Sequence, residues 1–314
     1  MNEENESVRL DEILKFSTTV SKGVLLKFLN SIFNEKFELN QVQITVSNNE
    51  FITEDLEKLR ADVFFRIQDI KNFEKTNFHI EFQTLNDKTM VFRMLEYGFK
   101  KSLEERRLDT IIFPKQHVIF IEKNNKIPEK LELKIRFPKE QIVKYEVPIM
   151  KYWEYDDKAI IENKMYPLLP LQLFLLRKEL ARNFKNGNLK NKEVFIEKIK
   201  EKTEKLARKA TELFQKGEIL GEDYDKILVM IDYLISYLNK KYIYDEKIEE
   251  EIKVLNRTYL DTEAVEIGIQ KGIEKGARKK QIEIAKNLIV LGLDKESIAK
   301  ATGLKLEEVN KLKN

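Results

Sequence analysis

A chain of 314 residues with 57 basic and 54 acidic side chains is nearly balanced in charge, so it neither demands nor excludes a polyanionic partner. With 42% apolar and 35% charged residues it reads as a soluble globular protein with room for two domains, and its 10 glycines and 6 prolines leave little for long flexible linkers. Cysteine is absent, which excludes disulfides and thiolate-bound zinc and fits a reducing compartment.

The N-terminus, MNEENESVRLDE, is acidic and polar, the opposite of a secretory or transit signal. The most apolar run, residues 166–176, is about half the length of a membrane span and holds Pro167 and Pro170. Together these predict a cytoplasmic protein with no membrane association. The first amphipathic stretch, LDEILKFSTTVSKGVLLKFLNSIF, repeats Leu10, Ile13 and Leu14, then Leu25, Leu26, Leu29 and Ile32, at helical spacing; Gly23 is the expected break. Asp11 and Lys15 are four apart and share a helix face, as a surface ion pair would. QVQITVSN follows as a strand.

Two segments then alternate apolar and polar residues, RADVFFRIQ at 60–68 and FHIEFQT at 78–84. This is the period-2 pattern of half-buried strands. Val63, Phe65, Ile67, Phe78, Ile80 and Phe82 take the apolar faces; Asp62, Arg66, His79, Glu81 and Gln83 take the others. About ten residues between them suit an antiparallel hairpin. Pairing would bring two carboxylates onto one face, where they repel unless a cation or proton lies between, so the pattern points to a divalent-metal site. His79 is expected to be an ordinary polar strand residue, with proton transfer or phosphate contact as the alternative.

LNDKTMVFRMLEYGFKKSLEERR reads as a helix whose apolar surface comes from Met90, Phe92, Met94, Leu95 and Phe99, with Arg93 and Tyr97 one turn apart. Strands follow in TIIFPKQHVIFIEK, LELKIRF and IVKYEVPIMKYW, where His117 is expected to be structural. YPLLPLQLFLLRKEL opens a helical, charge-laced remainder with turn signals at 185–188 and 217–221. Near the end, Gly268, Gly272 and Gly276 align on one helical face, suiting a close contact with a second subunit or a frayed connector. Ala299, Gly303 and Val309 then have helix-turn-helix spacing, placing Lys305 to Lys313 as the second helix; Glu307 and Glu308 at its start would repel phosphate. Nothing resembles a Walker loop, HExxH, GxSxG or a dinucleotide-binding glycine motif.

The ordered series Asp11-x3-Lys15, Asp62, Glu81-x-Gln83 and Arg93-x3-Tyr97, continued by FPKQHVIFIE, KYEVPIMKYWE and YPLLPLQLFLLR, resembles the Rpn family of recombination-promoting nucleases. These are also called putative transposases and belong to the PD-(D/E)XK nuclease superfamily. The resemblance covers most of residues 8–180. It implies an α/β fold with a restriction-endonuclease-like αβββαβ core at 1–180, a helical subdomain at 181–262 and a helical tail at 263–314. It also implies magnesium-dependent hydrolysis of DNA, with manganese as a substitute. Asp62, Glu81 and the Phe82 carbonyl are the expected metal ligands, an oxygen set that suits magnesium. Asp11, Lys15, Gln83, Arg93 and Tyr97 complete the expected catalytic set. Gln83 stands where the superfamily usually has lysine, and an amide can orient water but is no useful base near neutral pH.

Overall fold

The structure is a computed structural model that describes residues 10, 12–47, 62–104, 109–184, 192–258, 278, 280–290 and 292–312. Helix α1 occupies residues 12–16, and α2 follows at Lys22–Phe33. The break between them falls at 17–21 and not at Gly23, which lies inside the first turn of α2. Chain chemistry explains the shift. Ser17, Thr18 and Thr19 turn their hydroxyls back onto the carbonyls of Leu14, Lys15 and Phe16, which competes with helix continuation. Ser21 then caps α2 by accepting from Val24 N at 3.4 Å, and its own amide and hydroxyl donate to buried Asp223 at 2.6 and 2.7 Å. Asn34, with φ of 52°, closes the helix in the left-handed conformation.

Strands β1 (Val42–Ser47), β2 (Asp62–Asp69) and β3 (Lys75–Gln83) form an antiparallel meander. Helix α3 (Met90–Glu104) carries the chain to β4 (Lys115–Phe120), parallel to β3. β5 (Lys130–Arg136) and β6 (Ile142–Lys151) form a hairpin whose second strand runs parallel to β4. The sheet order is β1-β2-β3-β4-β6-β5, and α2-β1-β2-β3-α3-β4 is the expected αβββαβ succession. The β2–β3 turn is shorter than the alternation suggests, because β3 begins at Lys75 rather than Phe78. Thr110 to Phe113, read as the start of a strand, lie before β4 and outside any strand.

The sheet buries both faces. On one, Val63, Phe65, Ile67, Phe78, Ile80, Phe82, Ile119 and Ile121 share a core with Leu25, Leu26, Phe28 and Leu29 of α2. On the other, Met90, Val91 and Met94 of α3 pack with Val118, Phe120, Leu131 and Val147. The sequence pattern suggested a half-buried β3, yet everything from Asn77 to Phe82 is buried. Burying a large apolar side chain stabilises by about 1.5–3 kcal/mol, so the main face dominates stability. Phe92 and Phe99, expected to add apolar surface to α3, are instead exposed.

Beyond the sheet come α4 (Asp157–Glu162), tight 3-10 turns at Tyr166–Gln172 and Phe174–Leu176, α5 (Arg177–Phe184), α6 (Lys192–Gln215), α7 (Gly221–Leu238) and α8 (Glu246–Arg257). Their apolar stripes extend the α2-side core without interruption to Ile252. Residues 280–290 form α9, followed by α10 (Lys295–Thr302) and α11 (Leu306–Lys311). Ala285, Ile298, Leu304 and Val309 make a separate small core there, and Gly303 turns at φ 70° between α10 and α11. Glu308 is spent locally, accepting from Lys305 N at 2.9 Å and pairing with Arg278. The Gly268, Gly272 and Gly276 repeat, and the turn expected at 185–188, lie outside the described residues. No helix among the described residues is long and apolar enough to cross a membrane.

Candidate active site

The α3-facing side of the β2–β3 hairpin is a ladder of cross-strand pairs. Asp62 stands opposite Glu81, Phe64 opposite His79, and Arg66 opposite Asn77. Arg93, Tyr97 and Lys101 of α3, one turn apart, lie along it. Arg93 reaches Glu81, Tyr97 meets the His79 ring edge-on at 5.9 Å, and Lys101 lies 5.6 Å from the Phe64 ring centre. His79 stacks on Phe64 with ring centres 4.1 Å apart.

Glu81 is fully buried. Its Oε1 accepts from Arg93 Nη2 at 2.7 Å and from Gln83 Nε2, while Oε2 has no partner among the described residues. A buried, bare carboxylate oxygen is costly unless something satisfies it, so this atom is the strongest chemical signal in the site. Arg93 reaches with Nη1 toward Asp87 at 3.4 Å, and its Nε is also without a partner among the described residues. Burial works against ionisation of Asp87, but bonds from the Thr89 hydroxyl and amide and the charge of Arg93 outweigh it and hold the carboxyl below its usual range.

His79 is equally buried. Burial, reinforced by Arg93, pushes it down to about 3, so it is neutral near pH 7. Its Nδ1 lies 3.0 Å from Gln116 Nε2, which also donates to the Met94 carbonyl at 2.7 Å, and Tyr145 donates to Gln116 Oε1. With the amide donating, the imidazole proton sits on Nε2, an atom with no partner among the described residues. A neutral, walled-in imidazole is a framework element rather than a proton carrier.

The expected site residues divide plainly. Glu81, Gln83, Arg93 and Tyr97 come together. Asp62 holds the strand position opposite Glu81, but its side chain lies outside the described atoms, and so does Asp11 altogether. Phe82 turns its side chain into the main core. Lys15 is half-buried on α1 and makes no hydrogen bond or ion pair with Glu81, Gln83 or Arg93. Among the described residues no three His, Asp or Glu side chains gather as a metal-holding group. Sequence reasoning missed Gln116, Asp87 and Lys101. Only Lys101 left a trace, since it continues the Arg93, Tyr97 spacing by one more turn.

Residues 14–205 match the sequence model of a family described as putative transposase, YhgA-like. The chain belongs to this family, the Rpn group. The matched span of this Rpn-group chain takes in the six strands among the described residues, with the β2–β3 hairpin and α3, and ends within α6. No curated protein and no solved structure matches the chain.

Proposed function

We propose that the protein is a metal-dependent DNA endonuclease, working in recombination, mobile-element movement or defence. The observation that carries this reading is the unpartnered, buried Oε2 of Glu81 beside the strand position of Asp62. The donor chemistry fits magnesium, which takes one or two carboxylates and leaves its other positions to water and phosphate. Asp62, Glu81 and the Phe82 carbonyl would hold the ion. When bound, it would make a water nucleophilic at neutral pH and stabilise charge on the phosphoryl oxygens.

The protein's own groups have separate tasks. Arg93 fixes the Glu81 carboxylate through Oε1 and so aims Oε2. Gln83 shares that oxygen and orients water without acting as a base. Tyr97 and the Phe64–His79 stack wall the site on its inner side and exclude solvent there.

A second reading is a nuclease fold that binds without turnover, favoured by Gln83, which puts no ammonium where relatives of the fold keep one. Plasmid incubated with protein and Mg²⁺ or Mn²⁺ separates the two. Nicking that disappears in Glu81→Gln and Asp62→Asn supports the endonuclease. Nicking that survives both substitutions removes the proposed site, and DNA binding without cleavage under either metal selects the second reading.

A further inference from the structure

Only three residue pairs, Val118–Ile149 to Phe120–Lys151, join β4 to β6. From Ile142 to Pro148, β6 has β5 as its strand partner, so the two form a ribbon. One ribbon face is apolar: Leu131 and Val147 are buried under α3, with Leu133 and Tyr145 packed against them. The other face, with Lys130, Glu132, Lys134, Arg136, Ile142, Lys144 and Glu146, is exposed throughout.

Charge on that exposed face is sorted along its length. Near the base, Glu132 stands opposite Glu146, and Lys130 bridges both at 2.8 Å. Nearer the tip, Lys134 stands directly opposite Lys144, with Arg136 one step further on. The side chains of these three, and of Lys139 in the turn, make no hydrogen bond or close ion pair among the described residues; Lys144 is only near enough for its charge to favour ionised Glu132. The stretch from 134 to 144 holds these four basic side chains and a single carboxylate, Glu140. Like charges directly opposite each other destabilise a strand pair, so a face that keeps them unpaired is complementary to an anion from outside. Phe137, Ile142 and Val143 are exposed at the same end.

We propose that the β5–β6 ribbon is an arm that grips the phosphate backbone of duplex DNA. The proposal rests on DNA as the substrate but not on its cleavage. A two-stranded ribbon is one of the shapes the major groove admits, and lysines with arginine on its exposed face contact phosphate. Duplex is favoured over single strands because Phe137 is the only exposed aromatic side chain on the ribbon, too few for a base-stacking platform. β3, β4 and β6 run parallel, so Glu81 and Gln83 lie toward the Lys151 end. The tip is roughly 30 Å away along β6, and its basic face is turned away from α3, whereas Glu81 faces α3.

The test is anisotropy titration of the full chain against a labelled duplex, without metal, over a series of KCl concentrations. In a variant combining Lys134→Gln, Arg136→Gln, Lys139→Gln and Lys144→Gln, the slope of log affinity against log salt should fall by about 3 to 4, since each lost phosphate contact removes about 0.9. Lys158→Gln with Lys216→Gln should leave it unchanged. An all-arginine or all-lysine version of the four positions should keep full binding, which separates charge from folding. Binding is read without metal and nicking with it, so failure of the arm, an unchanged salt slope, and failure of the nuclease, absent or Glu81-independent nicking, are read apart. An unchanged slope in the four-fold variant, an equal loss in the control pair, absence of duplex binding by the parent, or a change in self-association instead of DNA affinity would each overturn the proposal.

Discussion

Replacing Arg93 by methionine keeps most of the side-chain volume and removes the charge that balances Glu81. The Arg93 side chain is 11% exposed and that of Glu81 is fully buried, so the 2.7 Å pair lies in a low-dielectric environment. Removing one member of a buried pair strands the other and typically costs about 3–5 kcal/mol. The second Arg93 contact, to half-exposed Asp87 at 3.4 Å, adds less than about 1 kcal/mol. Arg93→Met should therefore lose about 3–5 kcal/mol. Glu81→Gln, which keeps the shape, should lose about 1–3 kcal/mol. The double variant should cost less than the sum by at least about 2 kcal/mol, because the stranded charge is gone. Urea unfolding followed through the single tryptophan, Trp153, half-buried against the α3-side core, reads all three. A loss below about 1 kcal/mol for Arg93→Met, or additive single variants, would refute the account of the pair.

Three further outcomes can be measured. Gly98→Ala places a Cβ 2.8 Å from Phe113 Cδ1 and 2.9 Å from Gln116 Oε1; overpacking at about 1–3 kcal/mol should outweigh the gain in helix propensity of about 1 kcal/mol and lower the thermal midpoint. Glu249 is pushed up by burial but held down to about 2 by bonds from Lys253, Ser236 and Asn239. Its stabilisation is present above the ordinary value of 4.5 and is lost as pH falls through about 2, so thermal midpoints of Glu249→Gln and the parent should converge over that window. A gap that stays constant with pH would contradict the assignment. Asp223→Ala removes the acceptor for Ser21 N, Ser21 Oγ and Leu220 N and should cost about 2–4 kcal/mol in urea unfolding, while Ser21→Ala alone should cost less.

The hairpin was legible in the sequence because strand alternation is a local signal, and the apolar faces of residues 63–67 and 78–82 fall where the period placed them. What the alternation could not show is that the polar face is also buried. That follows from α3 returning across it, a tertiary event that turns Asn77, His79 and Glu81 from surface residues into a buried network. Gln116 was hidden for the same reason, since nothing in QHVIF shows that its amide will meet His79 and the Met94 carbonyl. The α1–α2 break was misplaced because glycine is a weak helix signal beside a cap supplied from the far end of the fold. Phe92 and Phe99 were misread because an apolar residue at helical spacing need not face the core.

The bond between Ser21 and Asp223 spans 202 residues of sequence. At synthesis rates of roughly 5–20 residues per second, the acceptor emerges about 10–40 s after the donor. Until then α2 lacks the carboxylate that anchors its first turn, although every strand of the sheet has already been made. The sheet and the apolar face of α2 can therefore meet before the helix receives its anchor, and chains that stop short of Asp223 should hold the start of α2 less firmly than the full chain does.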